Sequence, residues 1–338
     1  MKYSLIIAVY NRKEEVKELL DSAERIDFPR DKFELVFSDD GSTDGFQGFI
    51  NDYETKSDLN IRSIKQENKG PGAARNHGMR KAKGQYFIFV DSDCLFPSNY
   101  LKEIDKALLK SDYDAFGGPD ACHPDFPDLL KAINYSMTSF IGTGGTRGQE
   151  KSITKFYPRS FNMGIKRTIF ETIGGMNQLR HGQDMDFSAR IYEAGYKVGL
   201  IPTAFVYHKR RTSLKKFFKQ IFNWGVARIN LGKSHPQLLK PVHFAPSLIL
   251  LCLLKLIILA PFMKISRNFL KIAGLGAFGV ASFAFGESFG KYENKKVSFL
   301  SVITLFTQVL AYGLGILWGL WQIRQGKTAR GFSKNYYK

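Results

Sequence analysis

The sequence predicts an α/β sandwich on a mostly parallel sheet between helices, followed by C-terminal transmembrane helices. Three observations lead there. Strand and helix patterns alternate from residue 3 to residue 91, which implies parallel strands joined by right-handed crossovers. Polar clusters stand where those strands end (Tyr10-Asn11, Asp39-Asp40, Asp91-Ser92-Asp93), and open α/β sheets bind ligands at the carboxyl ends of their strands. Charge divides the chain. Residues 1–193 hold 27 of the 49 Lys+Arg and 29 of the 31 Asp+Glu, a net of −2, while residues 194–338 carry 22 basic and 2 acidic residues, a net of +20. No acid lies between Glu193 and Glu287, and long apolar runs fill that stretch. The formal charge of +18 therefore reads as anchoring at a cytoplasmic membrane face rather than as nucleic-acid binding. With 44% apolar and 24% charged residues, a disordered chain is excluded.

Each element follows in order. Tyr3–Val9 is a continuous aliphatic run, as in a strand buried on both faces; it ends in Tyr-Asn rather than in a small-residue cleavage site, so it is a core strand and not a secretory signal. Glu14–Ser22 places Val16, Leu19 and Leu20 at helical spacing. Phe33–Phe37 is the next strand, broken by Ser38-Asp39-Asp40-Gly41. Gly70–Lys83 reads as a helix that Gly84 ends, and Gln85–Val90 as a strand that stops at Asp91. Residues 117–160, rich in Gly, Pro and Asp, read as a long irregular connection of the kind that is usually functional. Ile165–Ile173 reads as a helix closed by Gly174-Gly175, and Asp184–Ala194 as an amphipathic helix with Gly195 after its end. Three scattered cysteines (Cys94, Cys122, Cys252) suit neither a disulfide framework nor a zinc site.

From there the chain turns basic and apolar. Thr212–Leu231 gathers Leu214, Phe217, Phe218, Ile221 and Phe222 on one face, which suits a helix lying at a bilayer surface or one packed within the protein. Domain limits follow: 1–210 for the α/β domain, 211–243 for the basic helix and linker, 244–323 for the membrane segments (244–263, 269–289, 298–323), and 324–338 for a basic tail. Each apolar segment reaches or approaches the roughly 20 residues needed to cross a hydrocarbon core. Small residues in the second (Gly274, Gly276, Ala277, Gly279, Ala281) would let helices approach closely. Three crossings would leave the tail's Arg324, Lys327, Arg330, Lys334 and Lys338 outside, against the positive-inside rule; two would return it to the cytoplasm. Lys255, Pro246 and Pro261 make the first segment the weakest span, and the number of crossings stays open.

The chemistry concentrates in carboxylates. Asp91 and Asp93, two apart at a strand end, would converge on one point and repel unless a divalent cation lies between them; oxygen ligands and a phosphate suit Mg²⁺ or Mn²⁺. Asp39, Asp40 and Asp44 around Gly41-Ser42-Thr43 form an ordinary strand-to-helix turn or accept bonds from a nucleobase or ribose. Asn68, Gly70 and Arg75 open a helix whose free N–H groups suit a phosphate, or they cap it and pair on the surface.

Taken together, Ile6-Ile7-Ala8-Val9-Tyr10-Asn11, Ser38-Asp39-Asp40-Gly41-Ser42-Thr43-Asp44, Asn68-Lys69-Gly70-Pro71-Gly72-Ala73-Ala74-Arg75-Asn76 and Val90-Asp91-Ser92-Asp93 resemble the inverting family 2 glycosyltransferases of GT-A fold. The resemblance covers roughly residues 1–225 and implies that Tyr10, Asn11 and Asp39 hold the nucleobase, with Asp91 on the ribose and Asp93 on the metal. Gly175, Met176 and Asn177 resemble the acceptor-side Gly-Gly turn. Gly182-Gln183-Asp184-Met185-Asp186-Phe187 stands where the family carries Glu-Asp-x-Asp, which makes Asp184 the catalytic base and puts Asp186 on the acceptor side; Gln183 departs from the usual Glu. Val206-Tyr207-His208 matches a late histidine that adds a metal or diphosphate contact. Cys94 stands where many relatives have a further acid. Gln220-Ile221-Phe222-Asn223-Trp224 has the outline of the Gln-x-x-Arg-Trp motif of processive synthases, with Asn for Arg, so a polymer-extruding synthase is disfavoured and Trp224 is left as an acceptor contact.

The expectation is a membrane-anchored, non-processive enzyme of the bacterial exopolysaccharide (succinoglycan) type, multi-pass in the cell's inner (plasma) membrane with its catalytic domain cytoplasmic. Its partners would be a UDP- or GDP-sugar donor and a lipid-linked saccharide acceptor, with a divalent cation and no nucleic acid. Two alternatives stand beside it: a polyprenyl-phosphate monoglycosyltransferase, and a non-catalytic nucleotide-sugar-binding protein. A dinucleotide-dependent oxidoreductase is disfavoured because no Gly-x-Gly-x-x-Gly follows the first strand.

Overall fold

The computed structural model describes residues 1–144, 155–179, 181–209 and 211–332, in two compact units. The first unit comprises the described residues of 1–123 and 155–209; the second comprises those of 124–144 and 211–332.

In the first unit the elements run β1 (Tyr3–Val9), α1 (Lys13–Ala23), β2 (Phe33–Asp39), α2 (Phe46–Glu54), β3 (Ile61–Lys65), α3 (Pro71–Lys81), β4 (Tyr86–Asp91), β5 (Cys94–Leu95), α4 (Tyr100–Lys110), β6 (Ala115–Gly117) and β7 (Asp120–Ala121). The second unit then contributes α5 (Asp128–Thr138) and α6 (Phe140–Thr143). The chain returns as β8 (Asn162–Lys166), α7 (Arg167–Ile173), α8 (Gln183–Glu193), β9 (Val198–Leu200) and β10 (Val206–His208). The main sheet has the order β3-β2-β1-β4-β8-β6-β9, with only β8 antiparallel to its neighbours. A small second sheet, β5-β10-β7, lies apart from it.

Helices cover both faces of the main sheet, which is why β1 is apolar on both sides from Leu5 to Val9, while the buried Ser4 is satisfied by Glu34 and the Gly84 N–H. Leu5, Ile7 and Val9 enter one core with Val16, Leu19 and Leu20 of α1 and Leu101 and Ile104 of α4. Ile6 enters the other core with Met79 of α3, Ile169 of α7 and Phe187 and Ile191 of α8. Full burial of one such side chain is worth about 1.5–3 kcal/mol. Helix α3 lies close to the sheet because Gly78 faces Ile6: a Cβ there would stand 2.5 Å from Cγ2 of Ile6.

Two expectations are corrected here. Ile165–Ile173 is not one helix: residues 162–166 form the buried strand β8, antiparallel to β4 and β6, and only Arg167–Ile173 is helical. The stretch 117–160 is not uniformly irregular, since it holds β7, α5 and α6, and α5 buries Leu130, Ile133, Tyr135 and Met137 in the second unit. Residues 145–154 of that stretch lie outside the described residues.

The second unit continues with α9 (Leu214–Ser234), α10 (Ala245–Leu259), α11 (Lys264–Tyr292) and α12 (Lys295–Arg324). Among the described residues three helical segments are long and apolar enough to cross a membrane: Pro241–Leu259, Lys264–Tyr292 and Lys295–Arg324. The apolar face of α9 is covered by protein: Phe217, Ile221, Phe222 and Val226 pack with Ile133 and Met137 of α5 and Ala311 of α12. Close helix approach does not occur where the sequence suggests. Among the described residues nothing stands within 4 Å of a Cβ built on Gly274, Gly276 or Gly279, whereas one on Gly315 would lie 2.2 Å from the carbonyl oxygen of Phe222.

Candidate active site

Backbone register sets the site. In β1, Val9 pairs with Asp39 of β2 on one side and Ala8 with Asp91 of β4 on the other, so two carboxylates flank the end of the central strand. Just beyond, Asn11 takes a left-handed conformation (φ 51°), which its short polar side chain tolerates. Its Oδ1 accepts from the backbone N–H of Thr43 (2.8 Å), and its own N–H donates to Ser42 Oγ (2.9 Å). The loops after β1 and β2 are thereby fastened together. Tyr10 is half-buried beside Asn11, which is exposed.

Asp39 and Asp40 are both buried but differ in use. Asp39 Oδ1 accepts from the N–H of Ser42 (2.8 Å), while its buried Oδ2 has no hydrogen-bond partner among the described residues. A buried carboxylate oxygen left without a donor is costly, and a ligand N–H or O–H would satisfy it. Asp40 instead holds the loop before α3, accepting from Gln66 Nε2 (2.6 Å) and from the N–H groups of Lys69 (2.9 Å) and Gly70 (2.8 Å). Asn68, exposed, rides on that loop. The sequence grouped Asp40 with Asp39 as a turn residue or a nucleobase or ribose contact; its carboxylate is instead taken up by the loop before α3.

Arg75, which the sequence suggested for a phosphate, donates through Nη2 to Asp91 Oδ1 at 2.6 Å. Asp91 is thus neutralised by protein. Asp93 turns to a different partner: its Oδ1 lies 3.2 Å from Nε2 of His208, and Nδ1 of His208 lies 3.5 Å from Oδ2 of the buried Asp120. The small sheet makes this arrangement, since β10 sets His208 opposite Cys94 of β5 and Val206 opposite Asp120 of β7. Asn162 of β8 steadies the same corner, its Nδ2 donating to the carbonyl of Ala204 at 2.7 Å. Arg12 ion-pairs with Glu15; partial burial works against its charge, but that bond and the fields of Asp93 and Asp91 hold its pKa above the usual value.

Asp93, Cys94 and His208 bring possible ligand atoms within 4.8 Å of one another. The Sγ of Cys94 is fully buried and donates to the carbonyl of Phe161 (3.9 Å); burial first, then the charges of Asp93, Asp91 and Asp120, push its pKa well above the ordinary thiol value. Asp93 and His208 remain as donors. Two ligands at right angles on an octahedral ion of bond length about 2.0–2.1 Å stand about 3 Å apart, and the 3.2 Å between Oδ1 and Nε2 fits that edge. A carboxylate behind the far nitrogen, as Asp120 is, is the usual support of a metal-binding histidine. The residues present fit a divalent cation.

The second carboxylate pair opens α8. Asp186 is buried; its Oδ2 accepts from Asn177 Nδ2 (2.9 Å) and Arg190 Nε (3.1 Å). Arg190 also donates to the carbonyls of Gly175 (2.6 Å) and Ile173 (3.1 Å), so Asp186 and Arg190 brace the Gly-Gly turn from within. Asp184 is half-buried, and its Oδ1 accepts from the N–H of Met185 (2.9 Å). Met176, expected among acceptor contacts, instead buries its side chain in the core; a thioether gains more there than at a wet turn. Its backbone N–H and C=O bond both ends of the Asn76 amide at 2.8 Å. Gly175 must lack a side chain here, as a Cβ would stand 2.3 Å from Asn76 Oδ1. Gln183 is buried with its amide over Gly72, 2.8 Å from a Cβ built there.

Helix α3 therefore joins the two carboxylate pairs. Within two turns, Gly72 meets Gln183, Arg75 meets Asp91, and Asn76 holds Met176. The sequence missed Asn76, Asp120 and Arg190; Asn76 stood in a quoted motif, but the other two carry no local signal. Trp224 belongs to the second unit, half-buried against the cluster of Phe217, Ile221 and Val226.

The model for the glycosyl transferase family 2 matches residues 4–174. The chain belongs to this family. Glycosyltransferase AglE of Haloferax volcanii is 27% identical over 240 residues, covering 68% of this chain and 76% of AglE. The poly(ribitol-phosphate) beta-N-acetylglucosaminyltransferase TarS of Staphylococcus aureus is 37% identical over 103 residues, 30% of this chain but only 18% of TarS. Among solved structures, the mannosyltransferase PcManGT of Pyrobaculum calidifontis, in complex with GDP-Man and Mn²⁺, superposes with a TM-score of 0.65 at 20% identity, covering 95% of this chain and 87% of that one. TarS 1–349 with UDP-GlcNAc gives 0.51 at 20% identity, covering 97% and 93%. This glycosyltransferase thus has the GT-A fold, with a mostly parallel sheet and three apolar C-terminal helices.

Proposed function

We propose that the enzyme transfers a sugar from a UDP- or GDP-sugar to a hydroxyl of a lipid-linked saccharide at the cytoplasmic face of the plasma membrane, in cell-surface or exopolysaccharide assembly. The observation that carries this reading is the Asp93–His208–Asp120 chain at the sheet's carboxyl end, tied through α3 to the helix that presents Asp184. The buried Oδ2 of Asp39 is suited to a donor on the nucleobase, with Tyr10 and Asn11 beside it. Asp91, fixed by Arg75, faces the ribose, and Asn68 the phosphates. Asp93 and His208 hold Mg²⁺ or Mn²⁺. A bound cation supplies neutralisation of the charge that develops on the leaving diphosphate.

Asp184 takes the proton of the acceptor hydroxyl while that oxygen bonds to the anomeric carbon. The bond from that carbon to the diphosphate oxygen breaks on the opposite face, its electron pair leaves with the nucleoside diphosphate, and the configuration inverts. Gly175 and Asn177 border the acceptor, with Asp186 holding Asn177 in position.

The test is a transfer assay on the full chain in detergent with Mn²⁺, a panel of UDP- and GDP-sugars, and two acceptors, a polyprenyl-linked saccharide and polyprenyl phosphate. Transfer to the saccharide that Asp184→Asn abolishes, with donor binding retained, is the expected result. Near-normal turnover of Asp184→Asn on the saccharide removes the assigned base. Transfer to polyprenyl phosphate alone replaces the acceptor class, because that oxygen is already ionised and needs no base.

A further inference from the structure

Composition counts three apolar helices, but the packing of the second unit restricts how many cross. The residues after α12 fold back onto α9. The N–H of Phe332 donates to Asn223 Oδ1 at 2.9 Å, Asn230 Nδ2 donates to the carbonyl of Ala329 at 2.8 Å, and the ring of Phe332 lies 4.5 Å from that of Phe222. Helix α9 begins at Leu214, a few residues after the first unit ends at Lys209, and it carries Lys215, Lys216, Lys219, Arg228 and Lys233. A helix so charged does not cross a hydrocarbon core, so α9 stays on the side of the catalytic domain. A tail packed on α9 lies on that side too. The number of crossings between them is then even.

The helix that drops out is α12. Of its apolar window 39% is buried inside the protein, against 6% for each of the other two segments. Its first half packs along α5 and α6: Lys296 pairs with Asp128 (3.0 Å), Thr304 Oγ1 donates to the carbonyl of Ala132 (2.9 Å), and Gln308 Nε2 to that of Gly142 in α6 (2.7 Å). Its second half packs along α9, where a Cβ on Gly225 would stand 2.4 Å from the carbonyl oxygen of Tyr312. Helices α5, α6 and α9 thus line α12 along its length. Helices α10 and α11, joined by a short turn at 260–263, leave Leu254, Ile258, Phe262, Ile272, Leu275 and Phe278 exposed.

We propose that α10 and α11 enter the bilayer as a hairpin, and that α12 does not cross it but lies at its surface, with Phe299, Phe306, Leu310, Leu314, Trp318 and Trp321 against lipid. These six recur on one helical face opposite the buried Ser301, Gln308 and Gly315, and the two tryptophans stack at 5.0 Å, in keeping with an interfacial aromatic anchor. The basic tail then sits on the catalytic side, as the positive-inside rule requires. The proposal does not depend on the sugar, the metal or the base.

The test uses the full chain with Cys122→Ser and Cys252→Ala, adding either Lys327→Cys in the tail or Lys56→Cys in the first unit. Both positions are exposed, and the remaining Cys94 is buried. A membrane-impermeant maleimide is applied to intact and to permeabilised cells. The expected result is that both sites label only after permeabilisation. Labelling of one site but not the other in intact cells gives an odd number of crossings and overturns the proposal. The unsubstituted chain with epitope tags at both ends supplies a second reading: antibody access to the two tags under one condition supports the even count, and access to only one of them refutes it.

Discussion

Two acidic pairs, Asp91/Asp93 at the end of β4 and Asp184/Asp186 at the start of α8, look alike in sequence and are handled alike by the fold. In each pair one carboxylate is neutralised by an arginine, Asp91 by Arg75 and Asp186 by Arg190. The difference lies in what remains. Asp93 faces an imidazole that a buried carboxylate backs, an arrangement suited to a cation. Among the described residues Asp184 is met by a backbone N–H from its own helix, an arrangement that leaves a carboxylate oxygen for a proton. Arginine pairing thus fixes one acid of each pair in place, and the second acid meets different surroundings in the two places.

The largest effect is expected at the helix pair. General-base assistance is worth about 10²–10⁴-fold, so Asp184→Asn should lower kcat by that range with donor Kd unchanged. Asp186→Asn should do something else. Arg190 would lose its carboxylate and the Gly-Gly turn its brace, so thermal unfolding should shift first and acceptor KM should rise. Equal kcat losses with unshifted melting for both variants would erase the distinction between the two acids.

At the strand pair, Asp93→Ala should remove the increase in donor affinity that Mn²⁺ brings, measured by calorimetry with and without the ion. Asp120→Asn is milder, since it keeps the shape of the support and removes its charge. Loss of such a supporting partner costs about 10–100-fold in metal affinity, readable as Mn²⁺ binding by paramagnetic resonance in the absence of any sugar. Unaltered Mn²⁺ binding in Asp120→Asn would show that the pairing with His208 is structural only.

Much of this was legible before the structure because short-range patterns carried it. Apolar runs ending in carboxylates marked β1, β2 and β4, and the charge division at Glu193 marked the change to basic, apolar sequence. What failed was long-range. Residues 165 and 166 pass for the beginning of a helix because Ile165, Ile169 and Ile173 keep helical spacing; the ring of Phe116 on Gly164 and the pairing of residues 162–166 with β4 and β6 make them part of a strand. Asp120 gains its role from parallel pairing of β7 with β10, two segments far apart in the chain, and no local pattern announces it. The glycines of α11 kept the small-residue signature yet meet no helix among the described residues, while close packing formed at Gly225 and Gly315 instead.

The smallest expected effect tests whether α3 couples the two pairs or merely lies near them. Asn76 bonds both the N–H and the C=O of Met176 and stands against Gly175. Asn76→Ala leaves that peptide unit without partners, a cost of about 1–3 kcal/mol, and opens space in which the turn can move. Asp91 is untouched, because Arg75 holds it from the neighbouring position. Donor Kd should therefore stay constant while acceptor KM rises and the melting temperature falls. Asn76→Asp separates packing from bonding: it keeps the acceptor oxygen for the Met176 N–H but loses the donor to the Met176 carbonyl, so it should fall between the wild type and the alanine variant. A donor Kd that moves in step with acceptor KM in both variants would mean that α3 answers to both substrates as one piece, and the separation of the two sites would have to be abandoned.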